Sequence, residues 1–144
     1  AKEIRIGKAA TLREGAKADG GYADITIIAT GIMVSEAMQA AEELAAEHGI
    51  EARIIDMHTI KPLDAEAIVK AAEETGAIVT AEEHSVIGGL GSAVAEVVTT
   101  HCPVKMYMVG QQDTFGESGK PDELKKKYGM TKDDIVKGVL TLRK

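Results

Sequence analysis

A repeated alternation of short apolar runs and helical segments is the feature that most constrains how this chain folds. Residues 25–30 read ITIIAT, a continuous run rich in β-branched residues that is typical of a strand covered on both faces. Residues 33–48 then place apolar side chains at spacings of three and four, and Gly49 follows as a helix stop. The cycle recurs twice. Because strands joined through helices form parallel sheets by right-handed crossovers, the sequence predicts an α/β fold with helices on both faces.

The predicted elements fill most of the chain. Further strands are expected over 52–57, 77–81 and 104–109, with an edge strand at 9–12, and further helices over 65–75, 91–99, 121–128 and 131–142. Asp64 and Thr131 are the expected N-caps, and Gly76 is an expected helix stop. The prediction is a three-layer α/β/α domain whose mostly parallel sheet has about five strands, one of them an antiparallel edge strand. Residues 1–15 would form a linker and the edge strand, and residues 16–144 the domain.

Composition excludes several classes of protein. A length of 144 residues with 44% hydrophobic content suits one domain. The 17 basic and 23 acidic residues give a net charge of −6, which argues against nucleic-acid and anionic-membrane partners. A single cysteine, Cys102, cannot form an internal disulfide, so a reducing, cytoplasmic setting is expected. The absence of a starting Met suggests a piece of a longer protein.

Four loops should share the carboxyl edge of the predicted sheet, where α/β proteins bind their ligands. They are residues 31–35, 58–64, 82–92 and 110–119. The third loop, EEHSVIGGLGS, is the most informative because it combines acidic residues, an imidazole and three glycines. Its candidate site residues are Glu82, Glu83, His84, Gly88, Gly89, Gly91 and Ser92.

This loop supports three interpretations. Its glycines allow close approach of another backbone, or the amides after them could hold an anion, although the lysine of a P-loop and the glycine spacing of a dinucleotide fold are both missing. Glu82, Glu83 and His84 could act as acid and base or as metal ligands. However, adjacent residues of an extended chain point to opposite sides, and a further ligand would have to come from another loop. An interface or cleft-lining role is therefore favoured, and no catalytic, cofactor-binding or metal-binding residue is assigned.

Five ordered segments carry a resemblance to a known family. They are IGKAATLREG (6–15), ITIIATGIMVSEA (25–37), MHTIKPLD (57–64), TAEEHSVIGGLGSAVAE (80–96) and DTFGESGKPDELKKKYGMTKDDI (113–135). Together they resemble the transketolase C-terminal domain, especially the C-terminal halves of transketolases that are split into two polypeptides. The same domain occurs in β subunits of 2-oxo acid dehydrogenases and in deoxyxylulose phosphate synthase, but the EEH before the glycines is more similar to transketolase.

The resemblance implies an enzyme that moves two-carbon ketol units between sugar phosphates with thiamine diphosphate, as in the pentose phosphate pathway. In that family a GDG motif and an Asn hold the diphosphate through Mg2+ in a separate domain, and a Glu in another domain activates the pyrimidine ring. This chain contains no Asn, and its nearest string to the motif is Ala18-Asp19-Gly20-Gly21. We therefore expect this chain alone to bind neither thiamine diphosphate nor Mg2+ and to have no activity in isolation.

The resemblance also implies partners. The C-terminal domain of the family packs against the pyrimidine-binding domain and contributes to a homodimer, with the EEH and glycine segment close to that region. The expected role is assembly with the pyrimidine-binding and diphosphate-binding domains or subunits. Two alternatives stay open at this point. One is a free-standing module that binds a small ligand or anion through the helix amides after Gly88 and Gly89, and the other is the same domain from a 2-oxo acid dehydrogenase β subunit.

Overall fold

Strands and helices alternate in the computed structural model, which describes residues 6–85, 89–111 and 131–144. In chain order the elements are β1 (Ala10–Arg13), β2 (Ile25–Ala29), α1 (Met33–His48), β3 (Ala52–Asp56), α2 (Ala65–Thr75), β4 (Ala77–Ser85), α3 (Leu90–His101), β5 (Lys105–Gln111) and α4 (Lys132–Leu142). The helix predicted over 121–128 lies outside the described residues.

The five strands form one sheet in the order β1-β3-β2-β4-β5. β1 pairs with β3 in the antiparallel direction, and the other neighbouring strands are parallel. In the centre of the sheet, Ile27 of β2 lies opposite Ile54 of β3 and Val79 of β4. The predicted fold, a mostly parallel sheet with one antiparallel edge strand, is therefore confirmed.

Helices cover both faces of the sheet. α1 and α4 pack on one face, where Leu44 and Ile135 join Ile27 in one apolar cluster. α2 and α3 pack on the other face, where Ile68 joins Ile28 in a second cluster. Ile27 and Ile28 are both fully buried, so the strand is apolar on both sides. This is why residues 25–30 read as a continuous apolar run instead of an alternating one.

Most helix ends lie where local sequence places them. The side chain of Asp64 accepts a hydrogen bond from the amide of Ala67 at the start of α2, at 3.1 Å. Gly49 and Gly76 end α1 and α2 with φ of +63° and +76°, in the left-handed region that glycine adopts without strain. Thr131 forms a capping box with the third residue of α4.

β4 is longer than predicted. The expected strand ended at residue 81, but β4 continues to Ser85, which lies opposite Gln111 of β5 after an irregularity in the pairing. Glu82 and Glu83 therefore lie on a strand and not in a loop. The sequence does not predict this part of the strand, because the side chains of Glu82 and Glu83 are polar. The extension depends on pairing with β5 and not on apolar content.

Within the described ranges, no helix is both long enough and apolar enough to cross a membrane.

Asp24 links three parts of the chain at the entrance to β2. Its carboxylate accepts a hydrogen bond from the amide of Glu51 at 2.9 Å and forms ion pairs with Lys17 at 2.8 Å and Arg143 at 3.9 Å. Burial raises the pKa of Asp24, but the hydrogen bonds from Lys17 and Glu51 and the charge of Arg143 outweigh burial, so the pKa lies below its ordinary value.

The Asp24→Asn variant should be less stable at neutral pH, and its free energy of unfolding should fall less on acidification than that of the unchanged chain. A lowered folded-state pKa stabilises the fold above the ordinary carboxyl pKa, and this contribution disappears as the pH falls through the folded-state pKa. At neutral pH we expect the variant to be less stable by about 1 kcal/mol. Urea unfolding of both proteins at neutral pH and at about pH 3 measures this, and we expect the difference between them to shrink in acid. A difference that stays constant with pH would contradict the assignment.

Candidate functional site

At the carboxyl edge of the sheet, the connections that follow β2 and β4 run in opposite directions across the sheet. β2 leads through α1 to β3 on one side, and β4 leads through α3 to β5 on the other. The amide of Thr30, just after β2, donates to the carbonyl of Ala81 in β4 at 3.2 Å, so the two strands stay in register up to this point. In doubly wound sheets such a position is where ligands and catalytic groups collect. The candidate site residues 82–92 begin here.

Glu82 is almost completely buried at this edge, with 1% of its surface exposed. One carboxylate oxygen accepts a hydrogen bond from the amide of Leu90 and the other from the amide of Gly91, each at 2.8 Å. Gly89, the N-cap residue of α3, has no side chain to supply this contact. The carboxylate therefore caps α3 from a neighbouring strand, and its negative charge lies at the positive end of the helix dipole.

Gly91 brings the start of α3 close to the sheet. A Cβ at this position would lie 2.9 Å from Sδ of Met108 and 3.1 Å from Oγ1 of Thr80, and Gly91 is buried. The close approach expected of the glycine segment is thus made here to strands of the same chain. Hydrogen bonds to Glu82 and contact with β4 and β5 fix the first turn of α3 together.

Glu83 serves the opposite face of β4. Its Oε1 lies 2.9 Å from the position that a Cβ on Gly31 would occupy, and Gly31 has a φ of +57°. Gly31 precedes α1, and the next residue, Ile32, is an apolar side chain that is 46% exposed. The two adjacent glutamates therefore contact different helices, Glu82 at α3 and Glu83 at the entrance to α1.

The remaining candidate residues are distributed along the same segment. Gly89 and Ser92 are half-buried at the start of α3. His84 belongs to β4, but its side chain and the whole of Gly88 lie outside what the structure describes. Glu82 and Gly91 make their contacts inside the chain. A role in an interface therefore stays a prediction for the half-buried members and for His84.

The geometry weakens the anion-binding alternative. That hypothesis used the first amides of α3, and two of them, from Leu90 and Gly91, already donate to Glu82. An added phosphate or carboxylate would have to displace a buried carboxylate that is attached to the same sheet. The helix start acts as an internal joint between α3 and β4.

Two residues of the loop after β3 hold the segment that precedes β1. Thr59 Oγ1 accepts a hydrogen bond from the amide of Gly7 at 3.1 Å, and Asp64 accepts one from the amide of Ala9 at 2.8 Å. Asp64 thereby performs two functions, because it also caps α2. The sequence indicated the cap but not the contact with Ala9, which joins residues far apart in the chain.

A cluster of possible metal ligands lies elsewhere. Glu43, Glu47 and His48 have ligand atoms within 4.8 Å of one another near the end of α1. The ammonium group of Lys132 lies 2.6 Å from Glu43, and the hydrogen bond and charge of Glu43 raise the pKa of Lys132 above its ordinary value. This carboxylate therefore attaches α4 to α1.

The residues present do not fit a Mg2+-bound diphosphate. No asparagine is available in the sequence, and two of the described amides at the carboxyl edge, those of Leu90 and Gly91, already donate to Glu82. Across the described residues, the one cluster of three possible metal ligands is at the end of α1, which leads away from this edge.

Comparison with known proteins identifies related chains. The family model described as transketolase, C-terminal domain, matches residues 7–135. A 6-deoxy-6-sulfo-D-fructose transketolase subunit from Clostridium sp. (strain MSTE9) is 53% identical over 135 residues, which cover 94% of this chain and 39% of that protein. A 1-deoxy-D-xylulose-5-phosphate synthase from Desulforudis audaxviator (strain MP104C) is 43% identical over 136 residues, covering 93% of this chain and 20% of that protein. The chain thus spans less than half the length of these relatives.

A solved structure described as a split gene transketolase, inactive beta4 tetramer, is similar over almost the whole chain. The TM-score is 0.88 at 48% sequence identity, and the match covers 98% of this chain and 44% of that one.

The Glu82→Gln variant tests the buried cap. A glutamine can accept from one of the two amides, but its own NH2 group would then face the other, and the negative charge at the helix end would be lost. We expect the free energy of unfolding to fall by about 2–4 kcal/mol. The matched control, Glu83→Gln, makes the same change on the half-buried neighbour and should cost less than about 1 kcal/mol. Denaturant unfolding compares the two, and equal losses would contradict the role given to Glu82.

Proposed function

The chain belongs to the transketolase C-terminal domain family, and from this premise we propose that it is the C-terminal domain of an enzyme that transfers two-carbon ketol units between sugar phosphates. Within that enzyme the domain serves subunit assembly and does not bind the cofactor. Thiamine diphosphate and Mg2+ would be held by the pyrimidine-binding and diphosphate-binding domains or subunits, which are the proposed partners. A homodimer of the complete enzyme and a cytoplasmic location are part of the same proposal.

The contact of Glu82 with α3 is the observation that supports assembly over ligand binding. At the position where a doubly wound sheet offers its amides to a ligand, this chain supplies its own buried carboxylate to the amides of Leu90 and Gly91. The same edge also carries an exposed apolar side chain. Ile32 is 46% exposed and lies beside the contact of Glu83 with Gly31. An exposed apolar side chain at the start of a helix suits contact with a protein partner.

The relatives support a transketolase as the parent enzyme. Identity is 53% with the subunit of the sulfofructose transketolase and 43% with the deoxyxylulose phosphate synthase. The former is itself a subunit by name, which suits an enzyme divided between two polypeptides. We propose a ketose as substrate and assign its recognition to the other domains or subunits, since the described part of the carboxyl edge offers no cofactor-binding constellation.

The isolated chain should bind no thiamine diphosphate. Titration calorimetry with thiamine diphosphate and Mg2+ should show no stoichiometric, Mg2+-dependent binding, because the GDG motif and the asparagine that hold the diphosphate in the family are missing from this sequence. A stoichiometric site on this chain would contradict the proposal that other domains or subunits hold the cofactor, but it would not change the family to which the chain belongs.

Assembly is tested at Ile32. In the complete subunit that carries this domain, Ile32→Asp should weaken subunit association by about tenfold or more, because a charge would be buried against the partner. An acidic residue at the start of α1 agrees with the helix dipole, so the fold should stay intact. Analytical ultracentrifugation measures association, and circular dichroism checks the fold.

The matched control is Gln39→Asp, which adds the same charge to an exposed position further along α1. We expect this variant to assemble normally. Normal association in Ile32→Asp, or an equal loss in both variants, would exclude the carboxyl edge as the assembly surface.

A further inference from the structure

A separate cleft lies at the amino end of the sheet. Its volume is about 320 Å³, and it is lined by residues of the turn before β2, the start of β3 and the second half of α2. The residues that matter here are Arg53 and Lys70, the carboxylates of Glu14 and Glu74, and the ring of Tyr22. The cleft is at the edge opposite Glu82 and Ile32, so it is independent of the assembly surface.

Arg53 is a buried cation with one unused hydrogen-bond donor. The residue is 6% exposed, and its Nη2 forms an ion pair with Glu74 at 2.8 Å. Its Nε is buried and has no hydrogen-bond partner among the described residues. Glu14 Oε1 lies 3.7 Å from this Nε, which is beyond hydrogen-bonding distance. Because buried donors are normally satisfied, an unpaired N–H in a cleft wall indicates a site that an acceptor could fill.

The other walls of the cleft are formed before any ligand arrives. The turn that precedes Tyr22 is closed by hydrogen bonds from Lys17 to the carbonyl of Gly21 at 2.9 Å and from Gly20 to the carbonyl of Lys17 at 3.0 Å. The ring of Tyr22 lies 5.8 Å from the guanidinium carbon of Arg53, and the residue is 58% exposed. A flat aromatic surface and a hydrogen-bonded turn therefore border the unused donor.

The charges around the cleft favour one class of ligand. Two cations, Arg53 and Lys70, line the cleft together with two carboxylates, Glu14 and Glu74. A dianionic phosphate would meet both carboxylates, whereas a group that carries one negative and one positive charge can satisfy each sign. The side chain of Glu14 is 71% exposed, so it is free to turn from the guanidinium towards an incoming ammonium.

We propose that this cleft binds a small zwitterion of the amino-acid type. Its carboxylate accepts the hydrogen bond from Arg53 Nε, assisted by Lys70, and its ammonium group pairs with Glu14. The aliphatic part of the ligand lies against the ring of Tyr22. Such a site is separate from the ketol-transfer activity proposed for the parent enzyme.

NMR titration of the 15N-labelled chain with glycine, acetate and inorganic phosphate tests the proposal. Glycine should shift the signals of Arg53 Nε–H and of the amides of Gly20, Gly21 and Tyr22, with a Kd on the order of millimolar for so small a ligand. Acetate should produce a weaker version of the same shifts. Phosphate should leave these signals unchanged.

Two variants make the test specific. Glu14→Gln should weaken glycine binding about tenfold, because the partner of the ammonium loses its charge, and should not weaken acetate binding, because acetate has no ammonium group and meets one negative charge fewer. The control, Glu66→Gln, changes an exposed glutamate that pairs with Lys8 outside the cleft, and should affect neither ligand. Glu14 and Glu66 are both exposed, so neither change threatens the fold.

Three results would overturn the proposal. Absence of shifts with both glycine and acetate would mean that Arg53 Nε is not available to a ligand carboxylate. Tighter binding of phosphate than of glycine would exclude a zwitterion. An equal loss of glycine and acetate binding in Glu14→Gln would exclude the pairing of Glu14 with the ammonium group.

Discussion

The two hydrogen bonds that the buried carboxylate of Glu82 accepts determine how the carboxyl edge is built. They join α3 to β4 before that strand ends at Ser85, so the start of α3 is held by a strand and not by the side chain of its own N-cap residue. Gly91 completes the joint, since a side chain at this position would press on Met108 and Thr80. Removing the charge would affect the helix, the strand and the shape of the edge together, because all three share one buried group.

How much the sequence reveals depends on the distance between the interacting residues. β2 and α1 are predictable because burial on both faces and helical periodicity are local patterns, and Asp64 and Thr131 are predictable because caps act within a few residues. The full length of β4 is not predictable from the sequence, since it depends on pairing with β5. The contact of Glu82 with α3 is also not predictable, although it is local in sequence. The residues are close in sequence, but the contact depends on where α3 begins relative to β4 in space, which no local pattern specifies.

The sheet separates two kinds of chemistry at its two ends. At the carboxyl edge, Glu82 satisfies the amides of Leu90 and Gly91 from within, and an apolar residue, Ile32, faces outwards. At the amino edge, Arg53 is paired with Glu74 but retains an unused donor in a cleft. Under the proposed function, the first arrangement is a surface for other parts of the enzyme. The second has no such explanation and is therefore where a distinct binding property is proposed.

The double role of Asp64 also gives the domain a mechanical property. The same carboxylate accepts from Ala9 and from Ala67, so the strand-entry segment and the first turn of α2 share one anchor. A force that pulls the chain away at Gly7 would be transmitted through Thr59 and Asp64 into α2. β1 therefore cannot peel from the sheet without pulling on the carboxylate that caps α2, and tension at this edge would reach a helix on the sheet face as well as the edge strand itself.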